Sequence, residues 1–178
     1  LPGAELDNTY ALIARGAAAT GEPLDEASLS FYYAEFVRHY EAHIAEASAP
    51  FPGAVTLLEQ LKAHDVRIGV CTNKLEGLSR SLIHELGLAD FFGAIVGPDT
   101  LGIAKPDPAP YHETLRQLGG GRSLMIGDSE TDILTARAAG VPVFAVGFGY
   151  TREPVENFAP DAVVNHFDEL WPLIQRTL

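Results

Sequence analysis

Three short segments of the sequence carry side chains of the kinds that bind phosphate and divalent metal ions. Thr72 and Asn73 offer a hydroxyl and an amide that can donate hydrogen bonds to phosphate oxygens, and Lys105 offers a mobile positive charge. Asp128 and Asp132 lie four residues apart and offer the oxygen ligands that Mg²⁺ prefers. Together these groups predict a site for a phosphoryl group beside a divalent cation.

Each of these features taken alone has a simpler structural explanation. Thr72 could cap the helix that follows it, and Asp128 with Asp132 could be a helix cap and a first-turn acid. Lys105 alone would most often be a solvated lysine. Whether the residues form one site depends on the elements that carry them.

From Pro52 onward, short apolar strands alternate with helices. We predict strands over residues 66–71, 94–96, 123–126, 141–146 and 162–164, with helices at 75–86, 108–118, 132–139 and 167–177 and another around Leu57. This alternation predicts an α/β fold with a doubly wound parallel sheet, in which ligands bind beyond the carboxyl ends of the strands. Thr72 and Asp128 each follow a predicted strand, so we expect them to lie at the same edge of the sheet.

The first 49 residues have a purely helical pattern and no strand pattern. An early helix over residues 5–18 ends at a Gly-Glu-Pro break. A long amphipathic helix then has one apolar face, with spacings of three and four, formed by Leu29, Tyr33, Phe36, Val37, Tyr40 and Ile44. We therefore divide the chain into a small helical portion, residues 1–49, and an α/β core, residues 50–178.

In this order the three segments resemble the haloacid dehalogenase superfamily, in the branch of phosphoglycolate phosphatases and related helical-cap enzymes. The resemblance is carried by residues 70–74, 105–110, 127–132 and 136–142 and runs from about Pro52 to the C-terminus. It implies that Thr72, helped by Asn73, binds a phosphoryl oxygen. It also implies that Lys105 neutralises the phosphoryl group and the attacking group.

The same resemblance assigns roles to the two aspartates and to the helical portion. Asp128 is expected to ligate Mg²⁺ directly, and Asp132 to hold a metal-bound water or to orient Lys105. Residues 1–49 are expected to be an incomplete part of the cap domain, which closes over the site in this family.

The attacking group of the family is missing from this sequence. The family forms an aspartyl-phosphate on an Asp-x-Asp-x-Thr segment at the end of a first strand, which lies in the middle of the sheet. No Asp-x-Asp occurs in the 178 residues. We therefore expect the sequence to be an N-terminal truncation of a longer enzyme, inactive by itself. The competing hypothesis is a non-catalytic relic that binds phosphate or a partner.

The predicted activity is Mg²⁺-dependent hydrolysis of a small phosphomonoester, with 2-phosphoglycolate as the favoured substrate. The alternatives are a sugar-phosphate phosphatase and a phosphosugar mutase. A metal-free dehalogenase is less favoured, because Asp128 and Asp132 suit a cation.

Composition limits the partners of the protein. Twelve Lys and Arg residues against 24 Asp and Glu residues give a net charge of −12, which disfavours nucleic acid and anionic membranes. The single cysteine, Cys71, can form no intrachain disulfide, which fits a reducing cytoplasm. The apolar face of the long helix could support a homodimer.

Three further patterns resemble functional motifs without meeting their requirements. His39 and His43 have zinc-binding spacing, but no third ligand is evident, so a polar helix face is favoured. The glycines at 119–121 follow a helix, at the edge of the sheet opposite to the expected site. The glycines at 147 and 149 follow a strand but lack the third glycine of a dinucleotide-binding motif, and they suggest a loop beside the site.

Overall fold

The computed structural model describes residues 13–46, 48–149, 151 and 153–178. Its N-terminal part is helical, with residues 13–19 in a first helix and helix α1 spanning Glu26–Ala42. The predicted helix over residues 5–18 therefore lies partly outside the described residues. Asp25 caps the N-terminus of helix α1, and its side chain accepts a hydrogen bond of 2.8 Å from the amide of Ser28. Among the described residues, no helix is long and apolar enough to span a bilayer.

The rest of the chain alternates helices with strands, as the sequence predicts. The elements follow in the order α2 (Ala54–Ala63), β1 (Ile68–Cys71), α3 (Glu76–Glu85), β2 (Phe92–Val96), α4 (Pro98–Leu101), α5 (Ala109–Gln117), β3 (Met125–Gly127), α6 (Glu130–Ala139), β4 (Val143–Val146), β5 (Ala162–Val164) and α7 (Leu170–Thr177). The short helix α4 is absent from the predicted elements, and β1, β3 and β4 each begin two residues later than predicted.

The strands pair in parallel, which confirms the predicted fold class. They form two separate sets of paired strands, or ladders, one of two strands and one of three. Strand β1 pairs with β2, with Val70 opposite Ile95. Strand β4 lies between β3 and β5, with Phe144 opposite both Ile126 and Ala162. Strands β1 and β3 do not pair with each other.

Strand β4 shows why helices cover both faces of the larger ladder. All four of its residues are buried, and successive side chains point to opposite faces. Phe144 and Val146 pack with α2 and α7, whereas Val143 and Ala145 pack with α5 and α6. This is the doubly wound arrangement expected for a parallel sheet.

An apolar groove of about 580 Å³ lies between the two ladders. Its walls include residues of β1 and β3, together with side chains of α2, α5 and α7, such as Leu61, Ile68, Leu115, Ile126 and Ile174. The groove therefore separates the two strands whose carboxyl ends carry the predicted functional residues.

Candidate active site

Lys105 connects the carboxyl ends of the two ladders. Its Nζ donates hydrogen bonds to the carbonyl oxygen of Cys71 at 2.8 Å and to Oδ1 of Asp132 at 2.6 Å. Cys71 is the last residue of β1, and Asp132 lies in the first turn of α6, which follows β3. Only 10% of the Lys105 side chain and 8% of the Asp132 side chain are exposed. Lys105 is thus a buried, paired residue, and the simpler explanation of a solvated lysine is wrong.

Asn73 holds the backbone of Lys105 in place. Its Oδ1 accepts the Lys105 amide at 2.8 Å, and its Nδ2 donates to the Lys105 carbonyl at 3.1 Å. A side-chain amide that bonds both backbone groups of one residue fixes that residue relative to β1. The second N–H of the Asn73 amide takes no part in this pair of bonds, so the predicted phosphate contact of Asn73 stays compatible with the geometry.

Thr72 caps a turn and not the following helix. Its Oγ1 accepts a hydrogen bond of 3.0 Å from the amide of Lys74, whereas α3 begins four residues after Thr72, at Glu76, with Leu75 before it. A hydroxyl that accepts one hydrogen bond still has its own proton to donate. The geometry therefore leaves Thr72 able to donate a hydrogen bond to a phosphoryl oxygen.

Both carboxylate oxygens of Asp132 are engaged within the protein. Oδ1 binds Lys105, and Oδ2 accepts hydrogen bonds from the Asp128 amide at 3.0 Å and from the Ser129 hydroxyl at 2.8 Å. Ser129 is the residue that caps α6, so the cap is neither of the two predicted aspartates. Of the two roles expected for Asp132, this geometry suits the orientation of Lys105.

The ionisation of Asp132 reflects two opposing effects. Burial by itself raises the pKa of the carboxyl group, but the charge of Lys105 and the hydrogen bonds from Lys105, Ser129 and Asp128 outweigh it. The net result is a pKa below the ordinary value for aspartate. Asp132 is therefore an anion at neutral pH and keeps a compensating charge beside the ammonium group.

Two glycines make room for the aspartates, and the sequence predictions assigned neither of them this role. A Cβ atom on Gly149 would lie 2.2 Å from Cβ of Asp128, and one on Gly127 would lie 2.3 Å from Cβ of Asp132. Real Cβ atoms do not approach other atoms so closely. Only the position of Gly149 in a loop after a strand pointed to this neighbourhood, whereas its contact with Asp128 depends on the tertiary fold.

The donor set of the site fits a hard cation only in part. Asp128 lies directly after β3 and offers carboxylate oxygens, and both carboxylate oxygens of Asp132 are engaged within the protein. Within the described ranges, no group of three or more His, Cys, Asp or Glu side chains comes together at a possible metal position. Mg²⁺ commonly uses one or two carboxylates with water and substrate oxygens, so Asp128 suits this ion if further ligands join it.

The two motif-like histidines and the triple glycine lie elsewhere. The rings of His39, on α1, and of His43, directly after α1, are 4.1 Å apart, and both residues are exposed. The three glycines form a turn between α5 and β3, at the amino end of β3, where Arg67 donates hydrogen bonds to the carbonyl groups of Leu118 and Gly120. The triple glycine is therefore a helix stop and turn, as predicted.

Comparison with known proteins identifies the family. The family model for haloacid dehalogenase-like hydrolases matches residues 13–146, about three quarters of the chain. The chain belongs to the haloacid dehalogenase-like hydrolase family. The matched residues include Thr72, Lys105 and both aspartates of the candidate site, which agrees with the resemblance seen in the sequence.

Two curated relatives of this hydrolase carry the name phosphoglycolate phosphatase. One, from Mesorhizobium japonicum, is 45% identical over 161 residues, covering 89% of this chain and 71% of that protein. Another, from Rhodospirillum rubrum, is 44% identical over 165 residues, covering 89% of this chain and 68% of that protein.

Solved structures of the family have the same fold. A predicted phosphoglycolate phosphatase from Haemophilus somnus superposes with a TM-score of 0.83 at 25% identity, covering 89% of this chain and 72% of that chain. CbbY from Rhodobacter sphaeroides, in complex with phosphate, gives a TM-score of 0.70 at 28% identity, covering 84% of this chain and 67% of that chain.

Proposed function

We propose that this hydrolase cleaves a small phosphomonoester in the presence of Mg²⁺, through an aspartyl-phosphate whose aspartate lies outside the 178 residues. The observation that carries the proposal is the convergence at Lys105. One ammonium group bonds the end of β1 and Asp132 at the start of α6, so the segment of Thr72 and the segment of the two aspartates meet at one edge.

The residues of the chain have complementary roles in this proposal. The Thr72 hydroxyl donates a hydrogen bond to a phosphoryl oxygen, and Lys105 offsets the negative charge of the phosphoryl group. Asn73 and Asp132 hold Lys105 in place. Asp128 would hold Mg²⁺, which when bound supplies further positive charge to a phosphoryl oxygen.

The groove between the ladders supports the proposed origin of the attacking carboxylate. A strand lying there, parallel to β1 and β3, would end at the edge where Thr72 and Asp128 lie. Its backbone groups would pair with the facing edges of both strands, and its side chains would pack against the apolar walls of the groove. An aspartate at its carboxyl end would then be next to Lys105.

The substrate proposal, 2-phosphoglycolate, is supported by the relatives named phosphoglycolate phosphatase, which reach 45% identity. The second candidate is a sugar phosphate. It is supported by a structure of CbbY in complex with xylulose-1,5-bisphosphate, which superposes with a TM-score of 0.69.

We propose that the enzyme acts in the cytoplasm. Burial raises the pKa of the Cys71 thiol, so this single cysteine is held in its unreactive protonated form. With one cysteine, the 178 residues can form no disulfide among themselves, which fits a reducing compartment.

The deciding experiment is a panel of phosphomonoesters assayed with the natural full-length protein, with and without Mg²⁺. We expect 2-phosphoglycolate to be hydrolysed fastest and turnover to require the metal ion. A full-length protein that hydrolyses none of the esters would favour the phosphate-binding relic. An intact mass of the natural protein equal to that of the 178 residues would contradict the proposed extra strand.

Asp128→Ala tests the metal assignment. Since Asp128 is the proposed Mg²⁺ ligand of this chain, the variant of the full-length enzyme should lose Mg²⁺-dependent turnover. Its circular dichroism spectrum should stay close to that of the wild type. Unchanged turnover would refute the assignment.

A further inference from the structure

Lys74 joins the loop after β1, residues 72–74, to helix α1. Its Nζ donates a hydrogen bond of 2.6 Å to the hydroxyl oxygen of Tyr40 on α1 and lies 4.6 Å from the centre of that ring. Both side chains are half-buried. Lys74 follows Thr72 by two residues, and its amide donates a hydrogen bond to the Thr72 hydroxyl oxygen. The Lys74 ammonium group therefore belongs to the same loop as Thr72, the proposed phosphate-binding residue.

The charge of Lys74 has no carboxylate to balance it among the residues that the structure describes. The chain has three lysines. Lys105 is paired with Asp132, and Lys62 lies on α2, where it bonds the carbonyl of Asp90. Lys74 forms no ion pair with any described Asp or Glu, although the protein has a net charge of −12. A half-buried cation with this environment is suited to an anion from outside the chain.

Tyr40 adds a second donor beside the ammonium group. Because its oxygen accepts the hydrogen bond from Lys74, its own proton must point to a different acceptor. An ammonium group and a phenol hydroxyl 2.6 Å apart can together bind the two oxygens of one carboxylate.

We infer that Lys74 and Tyr40 bind the carboxylate of a phosphorylated 2-hydroxy acid and so select this class of substrate. The inference rests on the proposed phosphatase function. In 2-phosphoglycolate only an oxygen and a methylene group separate phosphorus from the carboxylate carbon. The second anionic group of the substrate must therefore lie close to the phosphoryl group, and Lys74 is only two residues from Thr72 in the loop.

A pair of matched substrates isolates the carboxylate. The full-length enzyme is assayed with 2-phosphoglycolate and with 2-hydroxyethyl phosphate, in which an alcohol replaces the carboxylate. Lys74→Met keeps the aliphatic stem of the side chain and removes the charge. The preference is the kcat/KM for 2-phosphoglycolate divided by that for 2-hydroxyethyl phosphate. Because a charge-assisted hydrogen bond contributes about 1.5–3 kcal/mol, we expect this ratio to fall about 10- to 100-fold in Lys74→Met.

Two further variants separate charge from packing. Lys74→Arg keeps the positive charge and should retain most of the substrate preference. Tyr40→Phe keeps the ring and removes the hydroxyl, so the ratio should fall less than it does in Lys74→Met. Equal losses on both substrates in Lys74→Met would indicate a structural link between loop and helix and would overturn the inference.

Binding of phosphonates separates this inference from the proposed function, since it needs no turnover. Calorimetric titration compares 3-phosphonopropionate with propylphosphonate, in the presence of Mg²⁺, for the wild type and Lys74→Met. A preference for the carboxylate ligand that disappears in the variant supports the inference, even if the enzyme hydrolyses no ester. A wild type without this preference, or a variant that keeps it, overturns the inference.

Discussion

Lys105 and Asp132 form an ion pair that is almost completely buried, with 10% and 8% of their side chains exposed. Each charged group also bonds a neutral group. The carbonyl oxygen of Cys71 accepts a hydrogen bond from the Lys105 ammonium group, and the Ser129 hydroxyl donates one to the Asp132 carboxylate. Removing one partner of such a pair leaves an uncompensated charge away from water. The pair therefore couples the candidate site to the stability of the fold.

Lys105→Met should lower the free energy of unfolding by about 3 kcal/mol, because it leaves the Asp132 carboxylate buried without its partner. The double variant Lys105→Met/Asp132→Asn should be less destabilised than this single variant, since no unpaired charge remains. Equilibrium unfolding in urea measures both. Equal loss in the two variants would show that packing of the lysine stem, and not charge, decides the stability.

Gly149→Ala should disturb Asp128 without changing any polar group. The added Cβ would lie 2.2 Å from Cβ of Asp128 and 2.5 Å from its Oδ2, so the carboxylate must move. We expect the Mg²⁺ concentration for half-maximal activity of the full-length enzyme to rise about 10- to 100-fold.

Gly77→Ala is the matched control for this change. Gly77 lies in α3, and a Cβ there would meet nothing within 4 Å. The control should leave the Mg²⁺ dependence as in the wild type. If Gly149→Ala had the same Mg²⁺ dependence as Gly77→Ala, this would contradict the proposal that Gly149 makes room for the Asp128 carboxylate.

At the scale of elements, side-chain contacts near the sheet edge hold short helices in place. Helix α3 begins at Glu76, whose carboxylate accepts from the Thr100 hydroxyl at 2.6 Å and from Nε of Arg80 at 2.8 Å. Thr100 lies in α4 and also accepts the amide of Gly97 at 3.0 Å. This network links the helix after β1 to the helix after β2.

Glu76→Gln should reduce the acid sensitivity of the fold. The hydrogen bond from Thr100, and then those from Arg80, hold the pKa of Glu76 below its usual value despite partial burial. A lowered pKa stabilises the fold above about pH 4.3, the ordinary value for Glu, and this contribution is lost as pH falls through the folded-state pKa.

Because Glu76 is partly exposed, the contribution should be below about 1 kcal/mol. Unfolding measured at pH 6 and at pH 3 should show a smaller loss of stability in Glu76→Gln than in the wild type. The same loss in both proteins would contradict this account of the network.

At the scale of the whole molecule, the groove between β1 and β3 separates two halves that each have their own ladder. Lys105 bridges them at one edge through Cys71 and Asp132. The apolar walls make this groove unsuited to water, and the facing edges of β1 and β3, which pair with no other described strand, suit it to a further strand.

Hydrogen exchange of backbone amides tests the proposed strand. The amides of Thr72 and Met125 bond Val96 and Pro142, on the outer sides of β1 and β3. Because amides alternate between the edges of a strand, those of Cys71 and Ile126 face the groove.

In the natural full-length protein we expect slow exchange at Cys71 and Ile126, and in the 178-residue chain fast exchange at both. Thr72 and Met125 should exchange slowly in both proteins and serve as internal controls. Fast exchange at Cys71 and Ile126 in the full-length protein would exclude a strand in the groove.

The sequence predicted much of the fold, because its signals are local. Apolar runs marked the strands, and Gly140 marked the end of α6, where it adopts φ of +71°. The placement of Thr72 and Asp128 at strand ends followed from the same pattern. The contact between Lys74 and Tyr40 was not predictable, since 34 residues separate them and no periodicity relates them.

By itself, the sequence determined the α/β alternation, the family and the set of residues that could bind phosphate and metal. Residue types and spacing suffice for this, because backbone preferences and burial patterns act over a few positions along the chain. Only the tertiary structure decided the partners of those residues. It placed Lys105 between Cys71 and Asp132, Gly149 against Asp128 and Lys74 against Tyr40. These contacts join distant segments, and they form only when the helices and strands pack around a common core.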